Sequence, residues 1–309
     1  MRRRSLVRLL SLSFAVLAVG CSGSVEESVG TTDEPASGER GRTESAATGA
    51  RGMPEATVGV ASTAEETPGS RDVPFVVSRE ASGGSSYEAD TVLAVRHGVH
   101  GGYGRVVVDL GTGEEPAETV PEWTLMSPAG DGLLRVTFPS MSATRVSDGG
   151  FGGVLLESFH VVRAPDGGMF VDVFARRAFA YRVMELSDPA RLVLDFKPLG
   201  ERLDVPLPAS GGDTVLVDPR ADTRIQAPLT VSGYSRNFEA SNTVVLTGSG
   251  GEVLVRQTVT GNDWSSTWGY FEATLDLPPF SGRGTLRVGT GSARDGTFEG
   301  VEIPVRGSR

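Results

Sequence analysis

Apolar residues come in short bursts along most of this chain, with alternation at period two inside each burst and Gly, Pro, Asp or Asn between them. That texture predicts short β-strands joined by tight turns. In the first half the predicted strands are 91–97, 105–110, 122–126, 133–138, 154–162, 169–175, 179–186 and 191–196. A second series runs 215–218, 229–235, 243–248, 252–260, 270–277, 284–290 and 301–305, after the turn-rich stretch "GERLDVPLPASGGD". Segment 174–186 also fits a helix, since Phe179, Val183 and Leu186 recur at i, i+4 and i+7. Its Val, Tyr and Phe content favours strand. The expected fold class is all-β, with two β-sandwich domains at 91–198 and 215–309. The second carries the seven short strands of an immunoglobulin-like sandwich. It has no cysteine pair to pin it, so its stability is expected from apolar burial, with Trp264, Trp268, Phe271 and Phe238 as the large contributors.

Two strands nearly repeat each other: "RVVVDL" at 105–110 and "RLVLDF" at 191–196. In the first, Val106, Val108 and Leu110 share one face and Arg105, Val107 and Asp109 the other; the second divides the same way. Antiparallel pairing of the two sets Arg105 opposite Asp195 and Arg191 opposite Asp109. The charged face is then expected to look outward, where cross-strand ion pairs contribute a few tenths to about 1 kcal/mol. The competing reading makes Asp109 and Asp195 the carboxylate pair of a cell-wall glycan hydrolase. That chemistry needs the two groups about 5 to 10 Å apart in one cleft.

The N-terminus departs from the β texture. "MRRRSLVRLLSLSFAVLAVGC" sets four arginines before an apolar run and small residues before Cys21. This is the layout of an export signal, and the run is short for a membrane span. "LAVGC" resembles the lipobox of bacterial lipoproteins, which implies that residues 1–20 are removed and Cys21 is lipidated. The anchored protein would then stand on the extracytoplasmic face of the membrane. Two or three acyl chains hold stably where one is marginal. From Ser22 to Asp90 there are 13 acidic and 5 basic residues, with Phe75 and Tyr87 the only aromatics. Residues 21–90 therefore read as a disordered acidic tether, with "VPFVV" at 73–77 as a candidate edge strand.

Composition narrows the chemistry. The 309 residues carry a formal net charge of −10, and Lys197 is the only lysine, which speaks against nucleic-acid binding. One cysteine and three histidines leave no Cys/His metal cluster and no intrachain disulfide. His97 and His100 in "VRHGVHGGYG" sit three apart but lack an evident third ligand, and His160 falls in an apolar strand. No metal or other cofactor is expected. The second domain has no His, Cys or Lys to activate a serine. Tyr103, Trp264 and Trp268 remain as candidate binding residues, since exposed aromatics make stacking or contact patches. In "NDWSSTWGYF" one tryptophan is expected in the core and the other at the surface.

Two resemblances follow from longer stretches. "VLAVRHGVHGGYGRVVVDL" and "FAYRVMELSDPARLVLDFK" are similar to the two ends of the AMIN-like domain of bacterial envelope proteins. "IQAPLTVSGYSRNFEASNTVVL", "GEVLVRQTVT", "WGYFEATLDLPPFSGRGTLRVGT" and "DGTFEGVEIPV" resemble the immunoglobulin-like domain of bacterial spore-germination proteins, Gmad2. The first resemblance implies attachment to the cell wall. The second implies an accessory module without assigned catalysis. Neither supplies a catalytic set. The expectation is a lipid-anchored, non-catalytic protein that binds an envelope polymer or an envelope protein. A structural spacer in an envelope assembly is the further alternative.

Overall fold

The computed structural model describes residues 73–128, 130–200, 202–292 and 295–308. Residues 1–72, on which the expected export signal, Cys21 and most of the expected tether fall, lie outside the described residues. The first half holds β1 (Glu80–Gly83), β2 (Thr91–His100), β3 (Tyr103–Thr112), β4 (Glu115–Pro116), β5 (Trp123–Met126) and β6 (Leu133–Phe138). It continues with β7 (Ala143–Thr144), β8 (Asp148–Gly150), β9 (Leu156–Arg163), β10 (Met169–Ala175), β11 (Phe179–Leu186) and β12 (Arg191–Pro198). The second half holds β13 (Ala209–Gly211), β14 (Thr214–Asp218), β15 (Arg224–Ile225), β16 (Leu229–Ser235) and β17 (Ser241–Gly248). Then come β18 (Val253–Thr260), β19 (Trp268–Leu275), β20 (Gly282–Gly291) and β21 (Phe298–Gly307). The protein is all-β; a three-residue 3-10 turn, Phe238–Ala240, precedes β17. Among the described residues no helix is long and apolar enough to cross a membrane.

The ambiguous segment 179–186 is strand β11, paired antiparallel along its length with β12. β12 pairs in turn with β3 in the register expected from the repeated motif, Asp195 opposite Arg105 and Arg191 opposite Asp109. These strands belong to a sheet of order β11-β12-β3-β2-β7, with β4 on β3. Its apolar face, Val106, Val108, Leu110, Leu192, Leu194 and Phe196, packs on Leu134, Val136, Val161, Val171 and Val173 of the facing sheet to form the first core. The alternation of β3 and β12 thus places their even-numbered residues inward.

The facing sheet does not end with the first domain. Its order is β1-β5-β6-β10-β9-β19-β16-β14-β13, with β8 on β9. β9 and β19 meet in a short parallel contact, Trp268 opposite Val162 and Gly269 opposite Arg163. The expected pair of separate sandwiches is therefore two sandwiches sharing one ten-stranded sheet. The second core lies between Leu216, Val231, Phe271, Ala273 and Leu275 of that sheet and Val244, Leu246, Leu286, Val288 and Ile303 of the sheet β15-β21-β20-β17-β18. A third cluster forms from the other parity of the shared strands. Leu133, Val162, Phe170 and Phe174 point away from the first core and meet Val215, Tyr234 and Trp268, which point away from the second. This accounts for β10, "MFVDVFA", being buried at all seven positions: both of its faces are covered.

The folded body also begins earlier than composition suggests. Residues 73–90, expected in the disordered tether, include β1, paired with β5. Ala89 is fully buried in the first core. In "VPFVV" the pairing is a single bridge, with Val76 N–H donating to the Tyr181 carbonyl at 2.8 Å and Tyr181 N–H to the Val76 carbonyl at 2.9 Å.

Candidate functional site

The charged face of the repeated motif is not the solvent-exposed stripe expected from sequence. Asp195 is fully buried, and Arg105 and Arg182 nearly so. The Asp195 carboxylate accepts from Arg105 Nε and Nη2 at 2.6 and 2.9 Å and from Arg182 Nε at 2.8 Å. Phe75 lies over this group, its ring centroid 4.6 Å from the Arg182 guanidinium carbon. Burying such charges is tolerable because they are paired and hydrogen-bonded. Asp109 is separately clamped by Arg96, with both hydrogen bonds at 2.6 Å. Four positions of strand separate Asp109 from the level of Asp195, which amounts to about 13 Å at the rise of a strand. That spacing and the arginine clamps do not suit a glycosidase carboxylate pair.

Tyr103, at the start of β3, is half-buried rather than an open platform. Its ring stacks on His100 with centroids 4.8 Å apart and planes at 4°, and Phe75 approaches to 5.9 Å. His97 instead packs on Phe151 at 4.9 Å. Burial, with a smaller contribution from His100, lowers its pKa. Among the described residues no group of three or more His, Cys, Asp or Glu side chains is placed to hold a metal ion.

The two tryptophans of "NDWSSTWGYF" take opposite roles. Trp268 is 4 % exposed and sits where the sandwiches join. Its indole Nε1 donates to Asp148 Oδ2 at 3.0 Å, and the Arg236 guanidinium lies 4.6 Å from its ring. His160 meets it edge-on at 5.0 Å. The following Gly269 must be glycine, because a Cβ there would run into the backbone of Asp263. Trp268 is thus an interdomain core residue and presents no contact surface. The join is reinforced by Asn262 Nδ2, which donates to the carbonyl of Ala164 at 2.9 Å, and by Thr267 Oγ1, which donates to the carbonyl of Val161 at 2.5 Å.

Trp264 is 41 % exposed, and Phe238, expected in the core, is 70 % exposed. The two rings meet edge to face at 5.1 Å. Both are held on fixed backbone. The Asp263 carboxylate accepts from the N–H groups of Trp264, Ser265 and Ser266 at 2.6, 3.0 and 3.1 Å, and its other oxygen faces Arg163. On the Phe238 side, Glu239 and Ala240 both adopt φ of 54°. Left-handed backbone at non-glycine residues costs on the order of 1 kcal/mol or more each and persists only where neighbours enforce it. A buried amide chain does so here. Asn237 Nδ2 donates to Thr214 Oγ1 at 2.9 Å and to Asn242 Oδ1 at 2.7 Å, while Asn242 Nδ2 donates to Ser235 Oγ at 2.9 Å. Phe238 escaped the sequence reading because a phenylalanine after a turn reads as core; the "RNF" and "ASN" amides beside it were the available signal.

No curated protein and no solved structure matches this chain. Residues 215–297 match the family described as the immunoglobulin-like domain of bacterial spore germination, Gmad2. The match spans β14 to the turn before β21, so the second sandwich, which carries Trp264 and Phe238, is a Gmad2 immunoglobulin-like domain.

Proposed function

We propose that this protein is a surface lipoprotein, anchored through acyl chains on Cys21, that binds a cell-envelope polymer noncovalently and catalyses nothing. The observation that carries the reading is the Phe238–Trp264 pair: two large aromatics kept in solvent on loops whose geometry is enforced by a buried amide chain and an aspartate clamp. Exposed aromatics on a preorganised support are the usual anchors of contact surfaces. The shared sheet supports it further, since a rigid frame keeps such an anchor at a fixed attitude to the first domain. The resemblance of 91–198 to AMIN-like domains points to the same class of target.

The test is co-sedimentation of the chain from Ser22 onward with isolated cell walls at several salt concentrations. Binding that falls at least about tenfold in Trp264→Ala and Phe238→Ala supports the reading. A wild-type chain that stays in the supernatant throughout removes the wall as ligand. Cys21→Ser, expressed in the full chain, is expected to move the protein from membranes to soluble fractions; unchanged retention would remove the anchor. The match of 215–297 to a spore-germination domain favours a second reading, in which the aromatic pair docks on a protein of a germination assembly. Cross-linking from position 264 in intact cells separates the two.

A further inference from the structure

We infer that a hollow on the second sheet, reaching toward the aromatic pair, recognises anionic groups, so that the polymer bound is one that carries phosphate or carboxylate. This rests on the adhesive reading above and adds the chemistry of its target.

Sheet register builds the site. Val245 on β17 lies opposite Arg256 on β18 and opposite Arg287 on β20. Neighbouring strands are about 4.8 Å apart, so the two arginine stems rise about 10 Å from each other on one face of the sheet. Between them is a hollow of about 340 Å³ lined by Thr243, Val245, Arg256, Arg287, Thr290 and Phe298. Arg287 is held in place: its guanidinium carbon lies 4.0 Å from the centre of the Phe298 ring, and Glu302 reaches its Nε at 3.3 Å. Arg256 has no carboxylate within ion-pairing distance among the described residues. Arg256 is exposed, whereas the arginines at depth are neutralised, Arg105 and Arg182 by Asp195, Arg135 by Asp172 and Arg220 by Asp131. An unneutralised guanidinium beside an oriented one, over an apolar floor of Val245 and Phe298, matches an oxyanion attached to a carbon body. The planar fork donates to two anion oxygens, and the Thr243 and Thr290 hydroxyls supply further donors.

The position joins this hollow to the aromatic pair. Ser241, which follows the Phe238 turn directly, pairs with Thr260, shortly before Trp264; Thr243, two residues farther along, pairs with Gly289 at the hollow. The arginines stand at mid-strand, four residues along β17 from Ser241. The hollow between them reaches through Thr243, Thr290 and Phe298 toward the end of the sheet that carries the aromatic pair, so a polymer of repeating units can engage both. With a net charge of −10 the chain as a whole repels anions, so the attraction must be local and is expected to weaken with salt.

The experiment uses the chain from Ser22 onward with three probes: native cell walls, walls stripped of phosphodiester polymers by hydrofluoric acid, and walls whose carboxyls have been amidated. Arg256→Ala and Arg287→Lys are compared with Trp264→Ala, with thermal midpoints checked so that loss of fold is not read as loss of binding. Arg287→Lys keeps the charge and removes the fork. Each arginine variant is expected to weaken binding to native walls about tenfold, and Arg256→Ala, which removes a charge, is also expected to flatten its salt dependence. The wall treatment that erases the arginine effect names phosphate or carboxylate as the group. If Trp264→Ala loses binding while both arginine variants match wild type at every salt concentration, the adhesive reading stands and this inference is wrong. If wild type does not sediment with native walls, both fall together.

Discussion

Lowering the pH through the range in which histidine ordinarily titrates should loosen the join between the two sandwiches, and His160 sets the size of the effect. Its ring is enclosed by Trp268, Tyr234 and Phe174 at 5.0, 5.2 and 5.5 Å. It stands opposite Asp148 on β8 and Asp172 on β10. Both carboxylates are already engaged, Asp148 by the Trp268 indole and Arg236 and Asp172 by Arg135. Burial therefore prevails over the two nearby carboxylates, and the His160 pKa is lowered from 6.5 to about 4. A base whose folded pKa lies below its unfolded value takes up its proton more readily when unfolded. Its contribution is fully present above pH 6.5, is lost as pH falls from 6.5 to 4, and changes no further below that. At pH 4.5 the loss works out at about 2.5 kcal/mol, using 1.36 kcal/mol per pKa unit. The assay is urea unfolding at pH 7.5 and 4.5 for wild type and for His160→Leu, because other groups titrate over the same range and only the difference isolates His160. Wild type should lose about 2 to 3 kcal/mol more than the variant between the two pH values. Stability curves that run parallel for the two proteins would refute the argument.

Three further outcomes are expected. Trp268→Ala should cost about 3–5 kcal/mol and split one urea transition into two as the sandwiches uncouple; a single transition with an unchanged midpoint would contradict the join described. Asp195→Asn removes the carboxylate that Arg105 and Arg182 share, with an expected loss of about 3–5 kcal/mol in the same assay. A loss below about 1 kcal/mol would mean that burial of this group is overstated. Trp264→Ala should change stability by less than about 0.5 kcal/mol, as surface substitutions do, while wall binding falls; a drop in thermal midpoint matching that of Trp268→Ala would make Trp264 structural.

Strands were the most legible part of this fold. "LLRVTF", "MFVDVFA", "FAYRVMEL" and "LTVSGYS" coincide with β6, β10, β11 and β16. The register of β3 against β12 is the one in which the valines of the two copies oppose each other, Val107 against Val193, which sets Arg105 opposite Asp195. The outward direction of that charged face was wrong because alternation says which residues share a side, and only tertiary structure says what covers it; here residues 73–77 do. The shared sheet was the larger omission. A parallel contact of two residues between β9 and β19, more than a hundred positions apart, leaves no periodic trace. One clue was present: "MFVDVFA" is apolar at both parities, the mark of a strand buried on two sides. Of the candidate site, the sequence points to Trp264 and reads its companion Phe238 as core, since the only local sign that this ring is held in water is the pair of amides, Asn237 and Asn242, beside it.

The pairing of β9 with β19 limits how this protein can be taken apart. A stretch cut out as 215–297 would lose β13 and all of β21. It would also bare the side of Tyr234 and Trp268 that the first domain now keeps dry. Sequence families draw such a stretch as an exchangeable cassette, yet in this chain the seam runs through a hydrogen-bonded ladder, and recombination at the 199–208 crossover would tear a sheet rather than part a linker.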